Sequence, residues 1–369
     1  MAYRIYADHA ATTQLDSDAL AAMLPYLTDL YGNPSALHAV GQQAKTALEQ
    51  ARCTIAACIG ADPEEIHFTS GGTEADNWAI KGTEGAVAVS AIEHHAVLAP
   101  CAAIRRQGRA VSYIPATAEG IVTIETLENA LSPDVKLVSV MTANNELGTI
   151  QPIAALAKAA HRQGALFHTD AVSAVGHMPL NVKDLGVDLL SASAHKFGGP
   201  KGIGFLYIKK GTAIAPLLDG GAQENHLRAG TQNVAAIVGM AAALQKATAH
   251  METHRTHLER LTALFLDGLQ TAGIPYIRHG GGEILPGYVS LAFPATEAET
   301  LLHRLDLQGI MVATKAACDG QNTATSHVLQ AIGLPEEIAA STIRISFGYT
   351  NTEEDVSAFI AVLQSIFTP

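Results

Sequence analysis

The sequence predicts an α/β protein whose mainly parallel sheet is covered by helices on both faces, joined to a smaller α+β portion. Three observations carry this reading. Between about residues 64 and 211, short apolar runs alternate with helical patterns, which implies right-handed crossovers and strands buried on both faces. Beyond Gly230 strand signals thin out and helical periodicity dominates. Of 369 residues 48% are apolar and 16% charged, enough to fill large cores.

The elements follow in order. Residues 64–70 read as a strand leading through Gly71-Gly72 into a helix over 73–82. Further strands are expected at 85–92, 135–143, 165–171, 187–194 and 202–210, with helices at 96–108 and 152–164. Residues 234–273 read as one long helical region, with Leu258, Leu261, Leu264 and Phe265 on a common face. Strands at 288–294 and 342–348 and helices at 298–309 and 353–367 complete the smaller portion. The expected domains are 16–250 for the large one, and 1–15 with 251–369 for the small one.

Composition narrows the function classes. The net charge is −12 and no basic run accumulates, which argues against a nucleic-acid or anionic-membrane surface. The longest apolar stretch, Val234 to Leu244, is 11 residues, whereas a membrane span needs about 20. The N-terminal residues carry Asp8 where a signal sequence would have its apolar core, so a cytoplasmic enzyme is the expectation. Neither a GxxxxGK[ST] phosphate loop nor a GxGxxG fingerprint opens a βαβ unit. Of the four cysteines, Cys53 and Cys58 lie in an apolar helical stretch and are expected to be buried, and Cys101 follows Pro100 near a helix start. Cys318 lies in a small, polar, aperiodic run and is a candidate nucleophile.

Ligands of such sheets bind beyond the carboxyl ends of the strands. The first exit, Ser70-Gly71-Gly72-Thr73, offers glycines, a hydroxyl and a helix N-terminus suited to phosphate, although Gly-Gly-Thr also begins ordinary helices. The second is Glu93-His94-His95, where an imidazole caps a helix or stacks on a ring. The third, Asn144-Asn145-Glu146-Leu147-Gly148, reads as a turn. The fourth is His168-Thr169-Asp170, whose carboxylate needs a cationic partner. The fifth carries Ser193, His195 and Lys196 among glycines, leaving room for a flat group. Phosphate, cationic ring nitrogen, aromatic face and a carbonyl for a lysine coincide in pyridoxal 5′-phosphate.

The same residues resemble the cysteine desulfurases of the NifS/IscS type, within the class-V aminotransferase superfamily of fold-type I pyridoxal-phosphate enzymes. The likeness spans essentially the whole chain. It runs from residues 6–13 and 31–35 with His38, through 71–77, 93–94, 144–148, 170–171 and 193–196, to 228–231, Cys318 and 344–346. It implies that Lys196 forms the Schiff base and moves the Cα proton, that Asp170 pairs with the ring nitrogen, and that His94 stacks on the ring. Gly72, Thr73, Ser193 and His195 then hold the phosphate, with Thr231 from the other subunit of a homodimer. Asn145 bonds the substrate or the ring oxygen, Arg344 clamps the substrate carboxylate, and Asn33 belongs with the substrate. Cys318 takes sulfur from L-cysteine as a persulfide, leaving L-alanine. A protein acceptor, such as an iron–sulfur scaffold or a thiolation protein, then receives the sulfur.

Three positions depart from the family pattern. Ser173 stands where a glutamine usually bonds the ring's phenolic oxygen, so the cofactor's affinity or electronics differ or a water fills the gap. Lys315 and Asp319 flank Cys318 with opposed effects on its thiolate. Tyr349 replaces a common arginine. Competing readings are a selenocysteine or cysteine β-lyase or an aminotransferase of the same superfamily, which would not need Cys318, and a non-catalytic scaffold, which would not keep Lys196 and Asp170.

Overall fold

A computed structural model describes residues 4–294, 296–314 and 326–367. The chain opens with β1 (Ile5–Tyr6), α1 (Ser17–Thr28) and α2 (Ala39–Ile59). Strands and helices then alternate: β2 (Ile66–Thr69), α3 (Gly72–Gly82), β3 (Ala86–Ser90), α4 (His95–Arg106), β4 (Val111–Ile114), α5 (Ile124–Ala130), β5 (Val135–Ser139), α6 (Ile153–Arg162), β6 (Leu166–Asp170), α7 (Val182–Leu185), β7 (Leu189–Ser193) and β8 (Gly204–Ile208). Two long helices follow, α8 (Val234–Ala249) and α9 (Met251–Thr271). The remainder is β9 (Ile277–His279), β10 (Tyr288–Ala292), α10 (Ala298–Leu307), β11 (Ile310–Met311), α11 (His327–Ala331), α12 (Glu336–Ala340), β12 (Thr342–Ser346) and α13 (Glu353–Phe367).

The main sheet has the order β2-β8-β7-β6-β5-β3-β4. Its neighbours from β7 to β4 pair in parallel, while β8 runs antiparallel to both β7 and β2. The reversal at β8 follows from the short link after Ser193, which is too short for the helical crossover a parallel return requires. Val87, Val89, Leu137 and Leu189 face a core with Trp78 and Val97. Their neighbours Ala88, Val138 and Leu190 face the opposite core with Phe167. Two buried faces explain why these strands are apolar at consecutive positions rather than alternate ones. Each large side chain so buried contributes about 1.5–3 kcal/mol.

The smaller sheet is antiparallel, in the order β12-β10-β9. Val289, Leu291, Ile343 and Ile345 pack against Leu261 and Phe265 of α9, Leu301 of α10 and Phe359 of α13. Ile5 and Ala7 from the start of the chain enter the same core, and β1 pairs in parallel with β11.

The structure corrects three expectations. A strand at 111–114 was not anticipated; it is short, lies at the sheet edge and leaves Tyr113 exposed, so it lacks a buried strand's apolar run. The expected single helical region breaks at His250, whose φ of −106° and ψ of 8° close α8 and open α9. Cys53 is exposed and Cys58 half-buried. The inward stripe of α2 is Ala44, Ala47, Leu48, Ala51, Ile55, Ala56 and Ile59, and Cys53 shares the outer face with Ala57.

One inward residue of α2 is charged. Arg52 meets Glu224 at 2.8 and 3.1 Å, and its guanidinium lies 4.5 Å from the Phe68 ring centre. Glu224 also accepts the Phe68 N–H at 3.1 Å. The same glutamate begins a run of three non-glycine residues with left-handed φ, Glu224 (46°), Asn225 (56°) and His226 (65°). Such conformations are costly for L-residues and persist where surrounding contacts fix them. The buried pair therefore holds the turn that leads into residues 228–231. Removing one partner of a buried pair leaves the other charge uncompensated, at about 3–5 kcal/mol. Glu224→Ala is expected to lower the unfolding free energy read from urea melts by about 3–5 kcal/mol, and an unchanged midpoint would contradict this role.

Candidate active site

The carboxyl ends of β3, β5, β6 and β7 converge with the start of α3 on a cavity of about 420 Å³. Gly72, Thr73, His94, Asn145, Asp170, Ser173, Ser193, His195 and Lys196 all line it. Residues scattered over more than a hundred positions thus come together because each follows a neighbouring strand.

At the first exit α3 has no side-chain cap, so its leading N–H groups remain available. A Cβ on Gly72 would lie 2.6 Å from Val172 Cγ2, so a larger residue would push into this floor. The Ser193 hydroxyl faces the same glycines, with an imagined Gly71 Cβ 3.6 Å from its oxygen. His195 places Nδ1 3.1 Å from Thr12 Oγ1, and burial, with Lys196 and Lys201, pushes its pKa down to about 4. A neutral imidazole with hydroxyls and free helix N–H groups makes a donor set suited to a phosphate.

Asp170 ends β6 almost fully buried. Its Oδ1 accepts the Val172 N–H at 2.8 Å. Burial pushes its pKa up to about 6, against the opposing pull of that bond and of Lys196. Two more carboxyl groups, Asp76 and Glu93, lie buried nearby and are pushed further up by burial and by Asp170. His168 sits between Ser139 at 2.8 Å and Ser191 at 3.0 Å and is held neutral by burial, near 3. Neutral carboxyl and imidazole groups therefore flank Asp170 on its buried side.

Lys196 lies in the tight turn after β7 and donates from Nζ to the Ala10 carbonyl. Its own carbonyl lies 2.8 Å from His177 Nε2. His94 caps α4, with Nδ1 accepting the Ala96 N–H at 3.1 Å, as the capping reading of that position expects. In the turn after β5, Asn144 rather than Asn145 makes the structural bonds, accepting from Glu146 and Leu147 at 2.9 Å and donating to Ile92 at 2.9 Å. Asn145 is buried beside the cavity, and its Oδ1 has no partner among the described residues.

Arg344 on β12 is buried behind Asn145. It donates to the Asn145 carbonyl at 2.9 Å and to Asp8 Oδ1 at 2.6 Å, and Nε has no partner among the described residues. Asp8 and His177 were not singled out from the sequence as site residues. In the sequence Asp8 stands out only as a charge in place of an apolar core and as part of the resembling residues 6–13, and no local signal marks His177. Asn33 and Thr231 lie outside this cavity in their own chain; Asn33 is exposed and accepts the Ser35 N–H at 2.9 Å. Arg228 ties the loop before Thr231 to Glu74 at 2.8 and 3.1 Å. Cys318, with Lys315 and Asp319, lies outside the described residues.

Comparison with known proteins settles the family. The model of the aminotransferase class-V family matches residues 5–359. The chain belongs to this family. A cysteine desulfurase IscS from Dictyoglomus turgidum is 45% identical over 99% of this chain and 95% of its own length. A solved NifS-like protein superposes with a TM-score of 0.93 at 38% identity, covering 99% of this chain and 100% of the other. A structure described as SspA in complex with cysteine superposes at 0.83 with 33% identity, covering 94% and 100%. The cofactor is pyridoxal 5′-phosphate, and the residues present fit it. The buried Asp170 carboxylate suits its ring nitrogen, the unpartnered Asn145 oxygen marks an unfilled polar contact, and the Gly72 floor admits no Cβ.

The raised Asp170 pKa has a signed consequence. The folded cofactor-free protein binds this proton more tightly than the unfolded chain. The group's favourable contribution is therefore full below about pH 4 and lost as pH rises to about 6. Asp170→Asn is expected to stabilise the cofactor-free protein above pH 6 by roughly 1–3 kcal/mol while weakening cofactor binding. Urea melts of cofactor-free wild type and variant between pH 4 and 8 check this, and a destabilised variant at pH 8 would contradict it.

Proposed function

We propose that this chain, a pyridoxal-phosphate-dependent cysteine desulfurase, works through the strand-end cavity with Lys196 as its covalent anchor and Cys318 as the sulfur acceptor. The observation that carries the reading is the meeting of Lys196, Asp170, His94, Ser193 and the Gly72-Thr73 helix start around one cavity. It is supported by relatives named cysteine desulfurases along nearly the whole chain.

When bound, the cofactor draws electrons from the substrate, making Cα acidic and the Cβ–S bond cleavable. The protein's residues do the rest. Asp170 holds the ring nitrogen's positive charge, which relieves its own burial. His94 covers the ring face. Thr73, Ser193, His195 and the first N–H groups of α3 hold the phosphate. Lys196, once released from the cofactor, takes the Cα proton at Nζ and returns one to carbon. Arg344 binds the substrate carboxylate, with Asp8 yielding its place on the guanidinium fork and Asn145 orienting the other side.

The Cys318 thiolate attacks the substrate sulfur. An Sγ–S bond forms, the Cβ–S bond breaks and its electron pair stays on carbon, which takes a proton to give alanine. Cys318 ends as a persulfide. Cys58 and Cys101 are poor substitutes, because burial raises both thiols and carries Cys101 to about 12. The presence of Cys318 in the sequence favours the desulfurase over the β-lyase and aminotransferase readings, which would not need it. The persulfide passes its sulfur to an acceptor protein serving iron–sulfur clusters or other thio-cofactors.

The functional unit is a homodimer. Leu20, Leu24 and Leu27 line one exposed face of α1, and Tyr31 and Leu37 beyond it are 78% and 94% exposed. Apolar residues so displayed in one region suit an interface, and Thr231, outside its own chain's cavity, would complete the partner's.

With L-cysteine, Cys318→Ala is expected to keep the cofactor's visible absorbance but to lose at least 100-fold in alanine and persulfide formation, on the order of a lost nucleophile's contribution. Wild-type alanine and sulfide release by the variant would favour a direct lyase. Leu37→Glu is expected to shift the sedimenting species from dimer toward monomer. A fully active monomeric wild type would contradict the shared site.

A further inference from the structure

The helix start that suits a phosphate also carries a carboxylate. Glu74, the third residue of α3, lines the cofactor cavity with Ser70, Gly71, Gly72 and Thr73. Its place suits the helix, because an acid in the first turn meets the positive end of the dipole. Its Oε2 also reaches back to accept the Ser70 N–H at 2.9 Å. A glutamate at the third position of a capping box reaches back in the same way, and here the N-cap is Gly71, which has no side chain to help. For a phosphate the position is adverse, since two like charges would meet within one helical turn.

Arg228 answers this conflict. Its Nε donates to Glu74 Oε1 at 2.8 Å and its Nη2 to Oε2 at 3.1 Å, a parallel two-bond fork. The arginine side chain is 20% exposed and the glutamate 11%, so solvent ions screen the pair little. Arg228 lies outside the cavity lining and reaches the glutamate from behind. Its loop is fixed by other bonds, from the Ala229 N–H to the Leu218 carbonyl at 3.3 Å and from the Gly230 N–H to Gln223 Oε1 at 3.1 Å. Burial opposes the charge on Glu74, yet the bonds from Arg228 and Ser70 prevail and hold its pKa below the ordinary value. Glu74 is therefore an anion, and a cation must offset it.

We propose that Arg228 is a positioning residue for cofactor recognition. It holds Glu74 in its reach-back bond and offsets its charge, so that the start of α3 accepts the phosphate group and prefers pyridoxal 5′-phosphate to phosphate-free pyridoxal. This inference rests on the phosphate placement proposed above.

The test titrates the cofactor-free full-length protein with pyridoxal 5′-phosphate and, separately, with pyridoxal, read by the visible absorbance of the bound aldehyde. Arg228→Gln is expected to weaken binding of the phosphate form on the order of ten- to a hundredfold, and pyridoxal by less than about threefold. Adding Glu74→Gln removes the unpaired charge and should restore the wild-type preference. Glu74→Gln alone keeps an oxygen for the Ser70 N–H and leaves the arginine in place, so the preference for the phosphate form should rise. Equal losses of both ligands in Arg228→Gln, no recovery in the double variant, or a lowered preference in Glu74→Gln would overturn the inference. Ser193→Ala marks the placement itself. A preference lowered by Ser193→Ala but not by Arg228→Gln would overturn this inference alone, and a preference lowered by neither would overturn the phosphate placement with it.

Discussion

A carboxylate at the buried end of a strand is stable as an anion only beside a cation, and the site is arranged around that demand at Asp170. The strand that delivers it is covered on both faces, so water cannot reach the group freely. Lys196 offers some positive charge, yet burial still dominates and the pKa stays high. A ring nitrogen bearing a proton answers the demand more fully, because it brings its charge to the carboxylate without a flexible stem. The buried carboxyl groups of Asp76 and Glu93 reinforce this by remaining neutral, so they add no charge beside Asp170.

The remaining residues are tied to that centre by backbone rather than by long side chains. The start of the chain supplies Ala10 O to the Lys196 amine, Thr12 to His195, and Asp8 to Arg344. A short N-terminal arm thereby touches the cofactor lysine, a phosphate-side residue and the carboxylate-binding guanidinium together. Its apolar residues Ile5 and Ala7 anchor it in the smaller core. Tyr288 crosses in the other direction, from the smaller sheet into the larger core. Motion between the two cores would therefore be felt at the lysine and at the arginine at once.

Much of this was legible in the sequence because parallel strands translate order along the chain into proximity in space. Consecutive apolar runs announced β3, β5, β6 and β7, and reading what followed each run gathered His94, Asn145, Asp170, Ser193 and Lys196. What escaped has physical reasons. The edge strand β4 is half exposed and carries no apolar run. Apolar density in α2 concealed which side Cys53 faces, since Arg52 beside it points inward to Glu224. His250 carries no proline or glycine to mark the break between α8 and α9. Asp8 with Arg344 is a contact between residues 336 positions apart, for which spacing offers no sign.

The central claim is that Lys196 in this cavity is the cofactor's covalent anchor, although Lys201 lines the same space. Borohydride reduces the C=N bond between the cofactor and its lysine and makes the attachment permanent. Peptide mapping of the reduced holoenzyme should place the cofactor on Lys196, in the segment from Ser193 to Gly199. Attachment at Lys201, or recovery of unmodified Lys196 from fully reduced protein, would contradict the account.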